Sequence, residues 1–318
     1  MPDPQPLQNR SHANIGPWFG QWAARVALRL PPFSPLKLLG PFLRWRLRRE
    51  GGHHFTANAR DGVGLDAMFV PALPHCGSRL PVLLTHGWME IKEMHMSELK
   101  LLRRNGHDVM LLDLRAHGRS GGRLTTIGAW EREDITAVID QAVELGLIGP
   151  KLITMGYSTG AACMIQHAAD DPRVAAVVAL APFADLISAI RSFGRLYGNW
   201  YDPDILLRGF EQFAQHSGFH LRQSDTIGAM RRMHGPVLVA AGDRDRHLPP
   251  PLHAERLAAA APDDLCTLHL VKGANHLSIY QRLDPKLSEA IARFCAAASG
   301  GSRASGGSGE SGADKLEA

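Results

Sequence analysis

The sequence predicts an α/β protein: a doubly wound, mostly parallel sheet with a helical cap inserted near one end. Three observations carry this. Short apolar runs recur between His54 and Val271, as strands buried on both faces require. Helical stretches and short connections separate most of them, the βαβ rhythm of a sheet covered on both sides. About fifty residues between Asp185 and Gly235 carry no strand pattern, enough for an insertion over the strand ends.

Composition agrees. Of 318 residues, 45% are hydrophobic and 21% charged, which suits a globular chain with a sizeable core and excludes a wholly disordered or fibrous one. The four cysteines are scattered without a CxxC pair, against a disulfide framework or a zinc knuckle; they fit a reducing compartment, and the expected location is cytoplasmic. Charge is uneven: residues 1–50 hold eight Lys/Arg against two Asp/Glu, residues 51–318 hold 27 against 29. The body is therefore near neutral, and nucleic acid is not an expected partner.

The expected organisation is a basic arm over 1–50, an α/β domain over 51–298 with its cap at about 186–235, and a Gly/Ser-rich, disordered tail over 299–318. Within the arm, Pro17–Leu30 reads as a helix with Trp18, Trp22, Val26 and Leu30 on one face beside Phe19, Ala23 and Ala27. Gln21, Arg25 and Arg29 take the other face. Pro31, Pro32 and Pro35 break it, and a second basic-apolar stretch, Leu36–Arg49, follows. Arg25 and Arg29 interrupt any membrane-spanning run. Two readings stay open: the helix packs on its own domain, or residues 17–49 make peripheral contact with a membrane surface.

An antiparallel hairpin, HFTANA and LDAMFV around Asp61–Gly62, opens the domain. Then come PVLLTH, DVMLLDL, KLITMGY, VAAVVALA, PVLVAAG and CTLHLV. Helices are expected around Ser97–Arg104, Trp130–Leu145, Ala161–Ala169, Pro250–Ala260 and Pro285–Ala297.

Ligands of such a sheet gather at the carboxyl ends of its strands. Two segments there match G-x-S-x-G, Gly118–Gly122 and Gly156–Gly160. Ser158 follows KLITMGY directly and precedes TGAACMIQHAA, the strand–turn–helix context of a nucleophile. Ser120 lies past a longer loop with no helix behind it. A serine needs a base, and the base an orienting carboxylate. His276, in the turn after CTLHLV, is the best-placed base, with His247, His253 and His269 as rivals. For the carboxylate, Asp245 is preferred to Asp243, and Asp185 is third. An oxyanion hole needs two backbone N–H groups. Thr159, after the nucleophile, supplies one, and Trp88, in the His86–Gly87–Trp88 turn, is the candidate for the other. His86 reads as a buried histidine holding that loop.

These motifs, LLTHGW, Asp113–Ser120, GYSTG, GDRDRHLP and GANH, resemble in order those of α/β-hydrolase-superfamily serine hydrolases. The similarity is to a bacterial branch related to serine aminopeptidases and lysophospholipase-like esterases. The segment Thr126–Asp134 also resembles that branch. The resemblance covers about residues 53–298 and implies that the Asp113–Ser120 run is a structural turn. Ala116 departs from it, standing where relatives carry glycine.

Paired histidines (His53 and His54; His216 and His220) lack a third ligand at suitable spacing, so no metal is expected. No phosphate loop or dinucleotide fingerprint appears, so no cofactor is expected either. The cap region holds Phe193, Tyr197, Trp200, Tyr201, Phe210, Phe213 and Phe219, expected partly to pack it and partly to line an apolar acyl or alcohol pocket. The first functional reading is a carboxylesterase-like serine hydrolase acting on a small-molecule ester. Related acyl chemistry (aminopeptidase, thioesterase, acyltransferase or perhydrolase) is second, and a non-catalytic scaffold third.

Overall fold

A computed structural model describes residues 17–29, 35–74, 76, 79–196, 203–281 and 283–300. Eight strands form one sheet: β1 (His53–Asn58), β2 (Gly64–Val70), β3 (Val82–Thr85), β4 (Val109–Leu112), β5 (Leu152–Tyr157), β6 (Val174–Leu180), β7 (Val237–Gly242) and β8 (Cys266–Val271). Their spatial order is β1-β2-β4-β3-β5-β6-β7-β8. β2 is antiparallel to both neighbours, and all other pairs are parallel. Every residue of β3, β4, β5 and β7 is buried, which is why these strands read as unbroken apolar runs. The edge strand β1 instead buries only alternate residues over its second half.

The helices are α1 (Pro17–Leu28), α2 (Pro35–Arg49), α3 (Met96–Arg104), α4 (Glu131–Glu144), α5 (Thr159–Ala168), α6 (Leu186–Leu196), α7 (Pro203–His216), α8 (Thr226–Arg231), α9 (Ala254–Ala260), α10 (Ser278–Gln281) and α11 (Pro285–Gly300). Strand pleating sends neighbouring side chains to opposite faces. Leu83 and Met110 thus join a core with Val138 of α4, Met164 of α5, Met230 of α8 and Leu257 of α9. Leu84 and Leu111 join the other core, with Leu47 of α2, Leu99 of α3 and Ile291 of α11. A third cluster, of α1, α6 and α7, sits around Leu28, Ile190, Leu207 and Phe210.

Several boundaries differ from the sequence reading. α8, inside the 186–235 segment expected as an insertion, packs with the sheet layer through Ala229 and Met230, because its apolar residues meet α5 and α9. α11 continues to Gly300, where the Ser299 hydroxyl donates to Cys295 O and accepts from Leu80 N. The rest of the expected tail, 301–318, lies outside the described residues, as do Tyr197, Trp200 and Tyr201. The face of α1 is also turned: Gly20, Ala24 and Leu28 are buried, Phe19, Ala23 and Ala27 half-buried, and Trp18, Trp22 and Val26 exposed. Small residues win that face because α1 crosses α7 closely. A Cβ built on Gly20 or Gly209 would overlap the other helix's backbone. Among the described residues, no helix is long and apolar enough to cross a membrane.

Candidate active site

β5 runs straight into Ser158 and α5 starts at the next residue. The turn is so sharp that Ser158 takes φ 50° and ψ −113°, a costly conformation for a non-glycine residue that the surrounding structure must impose. The flanking glycines have steric reasons. A Cβ on Gly156 would overlap the Gly160 backbone, and one on Gly160 would overlap His86 O and the Thr85 side chain. Ser158 N donates to Leu180 O of the neighbouring strand at 2.8 Å, which fixes the turn to the sheet.

The loop after β8 brings His276 to the serine, with Nε2 3.1 Å from Ser158 Oγ. Its Nδ1 lies 2.7 Å from Asp245 Oδ2, on the loop after β7. Asp245 Oδ1 accepts the His247 and Leu248 amides at 2.9 and 2.8 Å, so one oxygen anchors the loop and the other faces the imidazole. The Tyr157 hydroxyl donates to His276 O. All three side chains are buried.

β3 and β5 pair in register, Thr85 beside Gly156, so the turn after β3 lies against the Ser158 turn. There Gly87 N donates to Glu90 Oε2 at 2.7 Å, and Met89, at φ 63°, donates its amide to His117 Nε2. Among the described residues, neither the Trp88 nor the Thr159 amide donates to a protein group. His86 lies beneath, accepting the Leu114 amide on Nε2 at 3.1 Å and donating from Nδ1 to Gly87 O at 2.7 Å. Burial, reinforced by His117, lowers its pKa to about 3; it is a neutral strut.

Ser158, Thr159 and Trp88 open on a cavity of about 350 Å³, at the small end of ligand pockets. Its walls are apolar, from Phe183 just before α6, Ile190 and Phe193 of α6, Leu206 and Phe210 of α7, and Phe19, Ala23 and Ala27 of α1. None of its described lining residues is acidic or basic. A larger open cleft of about 1070 Å³ lies on the other side of α6, along the loop of Asp243 to Arg246, and does not include Ser158.

A family model for the alpha/beta hydrolase fold matches residues 81–226. The chain has the α/β-hydrolase fold. A Pyrococcus furiosus esterase is similar in structure, with TM-score 0.61 and 18% identity over 84% of this chain and 96% of that one. Est1E from Butyrivibrio proteoclasticus, solved with ferulic acid bound, gives TM-score 0.62 and 22% identity over 76% and 98%. At such identities the likeness carries the fold alone. An uncharacterized Mycobacterium tuberculosis protein is 28% identical over 213 residues, 67% of this chain and 68% of that protein. An uncharacterized Bacillus subtilis protein is 24% identical over 174 residues, 53% of this chain. The match spans only 56% of that Bacillus protein's length.

Within the α/β-hydrolase fold, the rival residues have other places. Ser120 donates to Asp113 O and accepts the Asp66 amide, bracing a turn. Asp243 accepts the Gly273 amide and Asp185 caps α6 through Ser188. His253 is buried between the Ala184 amide and the Ser192 hydroxyl, and burial lowers its pKa to about 4. His269 lies on β8. His247 stacks beside His276 with ring centroids 5.3 Å apart. No cluster of three or more metal-ligating side chains occurs among the described residues. Of the aromatics in the 186–235 segment, Phe193 and Phe210 reach the pocket, whereas Phe213 and Phe219 pack in the cluster shared with α1 and α6.

Sequence reading missed the contribution of α1 to the pocket wall. The signal was there in Gly20 and Ala24 of α1 and Gly209 of α7, small residues that permit a close helix crossing. It also missed Glu90, whose carboxylate holds the turn below Trp88.

Proposed function

We propose that the chain is a serine hydrolase that cleaves carboxylic esters of modest apolar acyl groups through an acyl-enzyme on Ser158. The observation that carries this is the hydrogen-bonded line Ser158–His276–Asp245 ending at an apolar pocket. Neutral His276 keeps its proton on Nδ1, donated to Asp245, and so presents the Nε2 lone pair to the serine hydroxyl. As Oγ attacks the ester carbon, Nε2 takes its proton. The carbonyl oxygen becomes an oxyanion facing the Trp88 and Thr159 amides, whose fixed dipoles favour it most when charge has developed. The C–O bond to the alcohol then breaks, and His276 returns the proton to the departing alkoxide. Water repeats the sequence: His276 removes its proton, the hydroxide adds to the acyl carbon, and Ser158 leaves reprotonated with release of the acid.

Pocket chemistry supports an ester over a peptide with a free amine, since among the described residues no carboxylate lines the wall to hold an ammonium group. The test is labelling by a fluorophosphonate probe, with turnover on p-nitrophenyl esters of graded chain length beside aminoacyl-nitroanilides. Wild type and Ser120→Ala should label, Ser158→Ala should not, and short-to-medium acyl esters should be preferred. Labelling that persists in folded Ser158→Ala would remove the nucleophile, and turnover of nitroanilides alone would replace the ester.

A further inference from the structure

The outer side of α1 is unlike its inner side. Trp18 and Trp22 are 67% and 54% exposed, with Val26 exposed after them at the same four-residue spacing. Arg25 and Arg29 are exposed on this side rather than on the opposite face expected from the sequence, Arg29 with its guanidinium 5.6 Å over the Phe213 ring of α7, and residues 17–49 carry seven Lys/Arg and no Asp/Glu. α2 repeats the chemistry: Phe42 and Trp45 are exposed and stacked, and the Arg49 guanidinium lies 4.8 Å over the Trp45 ring. The wall between this surface and the pocket is thin. Trp22 stacks on Phe19 with centroids 5.8 Å apart, and Phe19 lines the cavity.

Exposed indoles interleaved with arginines and free of carboxylates suit one environment best. At a bilayer interface, Trp rings sit at headgroup level while guanidinium groups meet lipid phosphates. A second copy on this face would set like cations against each other, so charge favours an anionic surface over self-association. We propose that the outer face of α1 docks on an anionic lipid surface. Docking sets the pocket wall against the membrane, so that acyl esters carried in lipid are the substrates. That substrate class rests on the hydrolase reading; the docking does not.

The test uses the full chain as Ser158→Ala, so that binding is read without turnover, with vesicles of phosphatidylcholine alone or with added phosphatidylglycerol. Two further variants alter the surface: Trp18→Glu/Val26→Glu and Arg25→Glu. Trp22 is left in place to keep its stack on Phe19. The intact chain should sediment with anionic vesicles and not with neutral ones, and added salt should weaken binding through screening. Each surface variant should lower partitioning by about tenfold or more with an unchanged melting temperature. In the wild-type background they should keep hydrolysis of a water-soluble acetate ester within about twofold. Vesicle binding by a chain that cleaves no ester would leave docking standing and remove the hydrolase reading. Absence of sedimentation, or sedimentation indifferent to both variants, would overturn the proposal. A dimer that Trp18→Glu/Val26→Glu dissolves, without vesicle binding, would assign the face to a second copy.

Discussion

Gly20 of α1 and Gly209 of α7 meet backbone to backbone, with no room for a Cβ on either. The contact seats a helix from the chain's basic arm against α7. Around it, Gln21 Nε2 donates to Gln212 Oε1 at 2.7 Å. The carbonyls ending α1 are taken up by the body: Ala27 O by the Trp88 indole and Leu28 O by the Thr125 amide. α1 is thereby part of the pocket rather than an appendage to it.

Gly209→Leu isolates that crossing. Leucine improves intrinsic helix propensity by about 0.8 kcal/mol, so α7 by itself should gain. Overpacking against backbone, which cannot yield, costs about 1–3 kcal/mol or more. A lower melting temperature is expected, with a changed acyl-length preference because Phe19, Ala23 and Ala27 shift. Unaltered stability and preference would show that α1 does not wall the pocket.

Asp245→Asn should cut turnover by up to about 10⁴-fold, since an amide in its place favours the wrong imidazole tautomer. Asp243→Asn should do little, because its carboxylate only receives the Gly273 amide. Steady-state rates on one ester decide between them, and equal losses would move the orienting role.

The strands were legible because strand burial writes apolar runs into the sequence, and Ser158, Asp245 and His276 stood out as candidates because they lie at or within five residues of the ends of β5, β7 and β8. The face of α1 was not. Its pattern of Trp, Val, Gly and Ala allows two apolar stripes, and hydrophobicity favours Trp18 and Trp22. The burial of Gly20 and Ala24 comes instead from close approach to Gly209, a tertiary contact that helical periodicity does not encode. Likewise Phe213 and Phe210, three residues apart, look equivalent in sequence, yet only Phe210 reaches the pocket.

Ala116, the departure from the motif that the sequence resembles, sits at φ 61°, where a side chain costs about 1–2 kcal/mol. Ala116→Gly should relieve the strain and, after glycine's extra unfolded-state entropy, raise stability by about 0.5–1 kcal/mol. Chemical denaturation would show this as a higher midpoint with an unchanged slope; a lower midpoint would count against the strain.

His95 is buried below the Trp88 turn, with Glu90 and Glu98 carboxylates 3.5 and 3.6 Å from its ring nitrogens. Burial alone would depress its pKa, but the two carboxylates outweigh burial and raise it to about 9. A cation held in the fold above its unfolded value of about 6.5 contributes stability that is fully present below that value. The contribution is lost as pH rises through about 9. Because Glu90 also receives the Gly87 amide, losing the charge should loosen the turn presenting the Trp88 amide. The unfolding free energy should therefore fall between about pH 7 and 9.5 more steeply in wild type than in His95→Gln, with the difference on the order of 1–3 kcal/mol. Parallel profiles for the two proteins would mean that His95 is neutral in the fold throughout that range.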